Sequence, residues 1–240
     1  MNMNINQPNT DSSANSRVVA FFDIDQTLIR GSSSYYVARE LYRRNFFGWR
    51  DIFFAARHSL LYMLFGESKR RLDLVADRAL NVLAGRSVDE VSKIVEELYD
   101  NDLHGRIFVY MREVLNRHLV AGHDVWLVSA VPVQIGAVIA KKLGVNGILG
   151  TKVKVVDGVL APELDGELMH NEGKGLAVSK VASEYEYDLT NSFAYGDSYG
   201  DIPMLSMVGF PCGVNPDRKL RRVCESKGWN ILRVKRTFNG

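Results

Sequence analysis

The stretch Val18–Tyr36, "VVAFFDIDQTLIRGSSSYY", decides the fold. Its first five residues are apolar, and branched or aromatic side chains dominate them. Such a continuous run suits a strand buried on both faces. It stops at two carboxylates, Asp23 and Asp25, one residue apart. Carboxylates at a strand tip bind a cation, do chemistry, or merely end the strand. The remainder of the chain separates these readings.

From about Ser32 to Gly122 the periodicity is helical. Leu72, Val75, Ala76, Ala79, Leu80 and Leu83 share one helix face that stops at Gly85. Ser87 and Glu90 have capping-box spacing ahead of Val91, Ile94, Val95 and Leu98. Ile107, Met111, Val114, Leu115 and Leu119 predict a further helix ending at Gly122. Beyond it, short strands alternate with helices. Asp124–Ala130 is a predicted strand and Pro132–Leu143 a helix closed by Gly144. Residues 151–168 read as a hairpin turning at Asp157-Gly158. A helix carrying Gly173-Lys174-Gly175 comes next, then a strand running into Asp197 and Asp201. A strand near Pro211–Val214, a helix begun by Asn215-Pro216 and a strand around Asn230–Val234 complete the chain. The expected class is α/β: a Rossmann-like, doubly wound parallel sheet with a helical insert after its first strand.

Composition fits a soluble globular protein, with 46% hydrophobic and 24% charged residues among 240. A formal charge of +2 gives no reason to expect nucleic acid as a partner. The eight Lys and Arg between Cys212 and Gly240 have only Trp229 among them as an aromatic residue and read as a solvated face. Cys212 and Cys224 have no zinc-ligand pattern, so a reduced, cytoplasmic setting is expected. Residues 1–16 are polar and rich in Asn and Ser, which predicts a disordered tail and no signal peptide. The apolar window Ile52–Phe65 is interrupted by Arg57 and His58 and is too short to span a bilayer.

Three predicted strands end in polar side chains: Asp23 and Asp25, Ser129, and Asp197 with Asp201. In open parallel sheets that edge is where ligands bind. Carboxylates gathered there repel unless a cation joins them. Mg²⁺ suits a few carboxylates, waters and a phosphate. Lys174 can add a compact positive charge, and the Ser129 hydroxyl can donate to an oxyanion. Together they describe a phosphoryl-transfer site. No cysteine or Ser-His pair competes as nucleophile. An aspartate can attack and form an acyl phosphate, which leaves the second carboxylate to move the proton.

"FFDIDQTL", "VWLVSA", "GKG" and "YGDSYGDIPML" resemble, in order, the four motifs of the haloacid dehalogenase superfamily of phosphohydrolases. The length and helical character of the insert resemble the branch holding the phosphoserine phosphatases, subfamily IB. The resemblance implies a Rossmann-like core at residues 17–31 and 123–240, with a helical cap at 32–122. It implies that Asp23 is the nucleophile and a Mg²⁺ ligand. Asp25 becomes the general acid and base, its backbone carbonyl on the metal. Ser129 and Lys174 hold phosphoryl oxygens, Asp197 ligates Mg²⁺, and Asp201 binds or orients the metal site and Lys174. Three positions depart from the pattern. Gln26 stands where many members have Gly, Ser32 where phosphoserine phosphatases have Glu, and Gly200 where they have Asn.

The expected activity is hydrolysis of a small or amphiphilic phosphomonoester. Phosphoserine hydrolysis proper, phosphoryl transfer to an alcohol, and a catalytically silent phosphate-binding scaffold are the alternatives. The aromatic and Arg-rich start of the insert reads as a helical cap core, or as a lid for a larger ester that touches membranes peripherally without inserting. Tyr35 and Tyr36 are expected to line the pocket.

Overall fold

A computed structural model of the chain describes residues 17–46 and 80–235. Strand β1 (Val19–Asp23) is buried along its whole length. Helices α1 (Ser33–Arg43), α2 (Val88–Leu98) and α3 (Val109–Val120) come after it. The chain then alternates: β2 (Asp124–Pro132), α4 (Val133–Leu143), β3 (Gly147–Thr151), β4 (Val153–Val156), β5 (Val159–Leu164) and α5 (Glu172–Glu184). Last come β6 (Phe193–Gly196), the short α6 (Ile202–Leu205), β7 (Phe210–Val214), α7 (Arg218–Lys227) and β8 (Asn230–Leu232).

Six of these strands form one parallel sheet in the order β3-β2-β1-β6-β7-β8. The order reverses direction at β1, so the ligand-binding crevice of a doubly wound sheet falls at its carboxyl end. Both faces of β1 are covered, which explains its unbroken apolar run. Ala20, Phe22 and Ile24 join one core with Met111, Leu115 and Ile139. Val19 and Phe21 join the other with Val178, Leu205 and Leu220. Helix α3 lies on the first face, and its His118 packs edge-on to Phe22. Strands β4 and β5 make a separate antiparallel hairpin, turning at Asp157 and Gly158, both with positive φ.

The chain's exit from β1 and its return from the helical segment run side by side. The Arg30 amide donates to Arg106 O at 2.9 Å, and the Phe108 amide donates to Leu28 O at 2.9 Å. Tyr36 bolts this ribbon, donating its hydroxyl to Arg30 O and accepting from Arg106, both at 3.1 Å.

Some boundaries differ from expectation. Strand β3 was not anticipated, because Gly147 and Gly150 are poor strand formers. A side chain at Gly147 would meet the Trp126 ring at 2.8 Å, so the close approach requires the glycine. Helix α7 is capped by Asp217, which accepts from the Leu220 amide at 2.7 Å, and not by Asn215-Pro216. Asn215 instead exchanges hydrogen bonds with Val234. Ser87 does cap α2, but it accepts from the Asp89 amide. The tail, the Ile52–Phe65 window, most of the predicted 68–84 helix and much of the aromatic segment lie outside the described residues. Among the described residues no helix is long and apolar enough to cross a membrane.

His118 is fully buried, with Nε2 2.9 Å from the Tyr195 hydroxyl and Nδ1 2.9 Å from His123 Nδ1. Burial, aided by His123, lowers its pKa to about 3. The unfolded imidazole takes up a proton near pH 6.5, and the folded one does not until about pH 3. Stability from this group is therefore complete above pH 6.5 and is lost progressively as pH falls towards 3. His118→Gln should lower the unfolding midpoint at pH 7.5 yet flatten its decline between pH 7 and pH 5. Chemical denaturation at three pH values checks this, and a decline parallel to wild type refutes it.

Candidate active site

Parallel register builds the site. Phe22 pairs with Tyr195 and Asp23 with Val128, so the residues just beyond, Ser129 and Asp197, reach the same sheet edge as Asp23. A cavity of about 160 Å³ opens there. Its lining includes Asp23, Asp25, Ser129, Lys174 and Asp197. Asp201 sits directly behind, fully buried.

Lys174 enters from the first turn of α5, the third residue of that helix. The glycine after it permits the approach, since a Cβ at Gly175 would stand 3.0 Å from Pro203 Cβ at the start of α6. The ammonium lies 2.6 Å from Asp23 Oδ1 and 2.5 Å from Asp201 Oδ1, with all three side chains shielded from solvent. Burial works against the charge on Lys174. Asp23 and Asp201 outweigh it and raise the lysine pKa above its ordinary range.

The carboxylates carry the opposite stress. Burial pushes the Asp23 carboxyl well up, Lys174 pulls it back, and Asp201 and Asp197 push it further up. Burial, then the charge of Asp201, takes Asp197 up to about 7. Oxygens of Asp23, Asp197 and Asp201 lie within 4.8 Å of one another. Three acids therefore face a single ammonium in this cluster. The Asp25 carboxylate is not among the three.

Asp201 is held on all sides. Its Oδ2 accepts from the amides of Asp197 and Ser198 at 3.1 and 3.0 Å, and from the Ser198 hydroxyl at 3.0 Å. With Lys174 on Oδ1, four donors in all converge on this carboxylate. Ser129 is buried and its Oγ accepts from the Val131 amide at 3.3 Å, which leaves its proton to donate. Asp25 faces the first turn of α1, where Ser32 and Ser33 donate to it.

Two expectations about the pocket are corrected. Tyr35 points to solvent at 61% exposure, and Tyr36 is buried in the ribbon beside Arg30 and Arg106; neither lines the cavity. Ser34 does, together with His170, Ser198 and Gly200, none of which the sequence singled out as lining. The helix-cap position of Ser32 was the readable clue to Ser33 and Ser34. His170 precedes a turn at Asn171, φ 45°, that no periodicity signals.

The haloacid dehalogenase-like hydrolase family profile matches residues 20–206. The chain is 40% identical over 227 residues to phosphoserine phosphatase SerB1 of Mycobacterium tuberculosis, covering 94% of this chain and 72% of that protein. A crystal structure of a protein of unknown function from Bordetella pertussis Tohama I superposes with a TM-score of 0.81 at 27% identity. That match covers 91% of this chain and 99% of the other. A phospho-aspartyl intermediate analogue of phosphoserine phosphatase has the same fold, at TM-score 0.62 and 20% identity, over 92% of this chain and 95% of that one.

Gly196, the last residue of β6, tests how tightly the cluster is built. A Cβ there would stand 2.5 Å from Asp201 Cβ and 2.8 Å from its Oδ2. Asp201 cannot retreat without losing its four donors. Gly196→Ala should cost about 1–3 kcal/mol of unfolding free energy. Gly105→Ala, which meets nothing within 4 Å, is the control and should stay within about 0.5 kcal/mol. Equal midpoints for the two variants would show that the packing around Asp201 is loose enough to admit a methyl group.

Proposed function

The chain belongs to the haloacid dehalogenase-like hydrolases and is a phosphoric monoester hydrolase, and from that premise we propose that it works through an aspartyl-phosphate formed on Asp23. The observation that carries this reading is the Lys174 ammonium lodged between Asp23 and Asp201 at the edge of a cavity that Ser129 also lines.

In the first step an Asp23 carboxylate oxygen attacks phosphorus. The ester P–O bond breaks, and its electron pair leaves with the alcohol oxygen. Asp25 gives that oxygen a proton. In the second step Asp25 takes a proton from water as the water oxygen attacks the phosphorus of the acyl phosphate. The Asp23–phosphate bond then breaks and returns its electron pair to the carboxylate. Ser129 and Lys174 hold the phosphoryl oxygens through both steps. Asp201, held by four donors, fixes Lys174 and the backbone at residues 197–198.

The donor set fits a hard divalent cation such as Mg²⁺, because three clustered carboxylates exceed the one ammonium among them. Asp23 and Asp197, with the backbone carbonyl of Asp25, would hold it, and Asp201 would steady them. The ion supplies neutralisation of charge on the phosphoryl group when bound. We place the helical cap at 32–122, as an insert whose last helix, α3, also serves as one layer of the core, and the protein in the cytoplasm.

The substrate class we favour is a small or amphiphilic phosphomonoester. Phosphoserine is the second reading, supported by the 40% identical relative. Against it, Ser32 carries no charge for an ammonium group, and its hydroxyl is engaged with Asp25. Transfer to an alcohol would use the same residues with that alcohol in place of water.

Asp23→Asn should abolish turnover of p-nitrophenyl phosphate and labelling of the protein by phosphate, with the fold intact by circular dichroism. Near wild-type activity would overturn the nucleophile. Mg²⁺ titration by calorimetry should show one site that Asp197→Ala weakens, and exhaustive chelation should silence wild type. Activity that survives chelation removes the cation from the mechanism. A panel of amino-acid, sugar, nucleotide and lipid-derived monoesters, with and without alcohol acceptors, separates the substrate readings.

A further inference from the structure

Asp25 does not stand alone at the cavity. The Ser33 hydroxyl donates to its Oδ1 at 2.5 Å, and the Ser33 amide donates to the same oxygen at 2.8 Å. The Ser32 hydroxyl donates to Oδ2 at 3.0 Å. Ser32 is also the N-cap of α1, accepting from the Tyr35 amide at 3.3 Å. Ser33 has no exposed surface, and among the described residues its hydroxyl has no other partner. A fully buried hydroxyl aimed at the carboxylate that lines the cavity is a costly arrangement unless the contact matters.

The acceptor arithmetic makes the two oxygens unequal. A carboxylate oxygen has two acceptor positions. Among the described residues, those of Oδ1 are both filled by Ser33, whereas Oδ2 has one filled by Ser32 and one open. We infer that Ser33 is a positioning residue: it fixes the Asp25 carboxylate so that Oδ2 is the oxygen exchanging a proton with substrate and water. This rests on the role proposed for Asp25 as general acid and base. The step itself is unchanged. The alcohol oxygen receives the electron pair of the breaking P–O bond and the proton from Oδ2, while Oδ1 keeps its two donors throughout. Ser33 is the first residue of α1, so the segment after the first motif delivers the acid's support along with the helix start.

A general acid matters most when the leaving group is poor. The test therefore compares kcat/KM for p-nitrophenyl phosphate and phenyl phosphate, whose leaving groups differ in basicity but little in size. kcat/KM reports the first phosphoryl transfer whichever later step limits turnover. In Ser33→Ala the ratio of the two values should shift against phenyl phosphate by about tenfold, since small misplacements of a catalytic group carry penalties of this order. KM for p-nitrophenyl phosphate should hardly move. Ser33→Cys keeps the volume and weakens the donor. It should shift the ratio in the same direction by less, and it carries the test if the alanine variant does not fold. Asp25→Asn is run alongside. If Asp25→Asn widens the ratio and neither Ser33 variant does, the positioning role is wrong while the proposed mechanism stands. If Asp25→Asn leaves the ratio at the wild-type value, Asp25 is not the acid and the inference falls with it.

Discussion

One buried ammonium between two buried carboxylates organises this protein. Lys174 touches Asp23 and Asp201 at 2.6 and 2.5 Å, and each of the three sits on a different element: the end of β1, the start of α5 and the turn after β6. Taking such charges out of water is favourable only when each is met with good geometry. The surrounding structure meets that demand. Two backbone amides and a serine hydroxyl complete Asp201, and Gly196 and Gly175 let the elements come close enough. The sheet order then has a simple logic. The strand that ends at Asp23 is central, and its two neighbours bring the Ser129 hydroxyl and the carboxylates of Asp197 and Asp201.

The same cluster carries more acid than base. Asp197 has no close basic partner among the described residues, and its carboxyl rises to about 7 while that of Asp23 rises as well. Acids that hold their protons when alone ionise when a cation arrives, so binding of a divalent ion and loss of protons are coupled. A cluster with this excess of acid favours a cation over an anion arriving alone.

Much of this was legible in the chain. Strand β1 announced itself because both its faces are covered, which forces an uninterrupted apolar run. Asp23, Asp25, Ser129 and Asp197 were visible because each stands at the end of a predicted strand, and Lys174 because two glycines bracket it. Other features left no local trace. Strand β3 hides behind Gly147 and Gly150, which make room for the Trp126 ring and the Val131 carbonyl of the neighbouring strand. The cap on α7 went to Asp217 over Asn215-Pro216 because Asn215 was needed to hold Val234, a contact nineteen residues away in the chain. Ser33 is the middle one of three consecutive serines at the helix start, and only the fold shows that it alone is wholly buried against Asp25. Tyr36, adjacent to the first motif in sequence, turned away from the cavity because Arg106 and the Arg30 carbonyl offered its hydroxyl both partners.

The central place of β1 also bears on how the protein acquires its structure. Strand β1 pairs Val19 with Asp124 on one side and Ala20 with Phe193 on the other. Both closures span roughly a hundred residues or more, and such non-local contacts slow folding because chain entropy is lost before they form. A helix closes hydrogen bonds between neighbouring turns and can form early, whereas the sheet must wait for the chain beyond β6. During synthesis the apolar segment Val18–Ile24 therefore stays without its partners longer than any other strand of the sheet. It is the part of the nascent chain most in need of protection from wrong association.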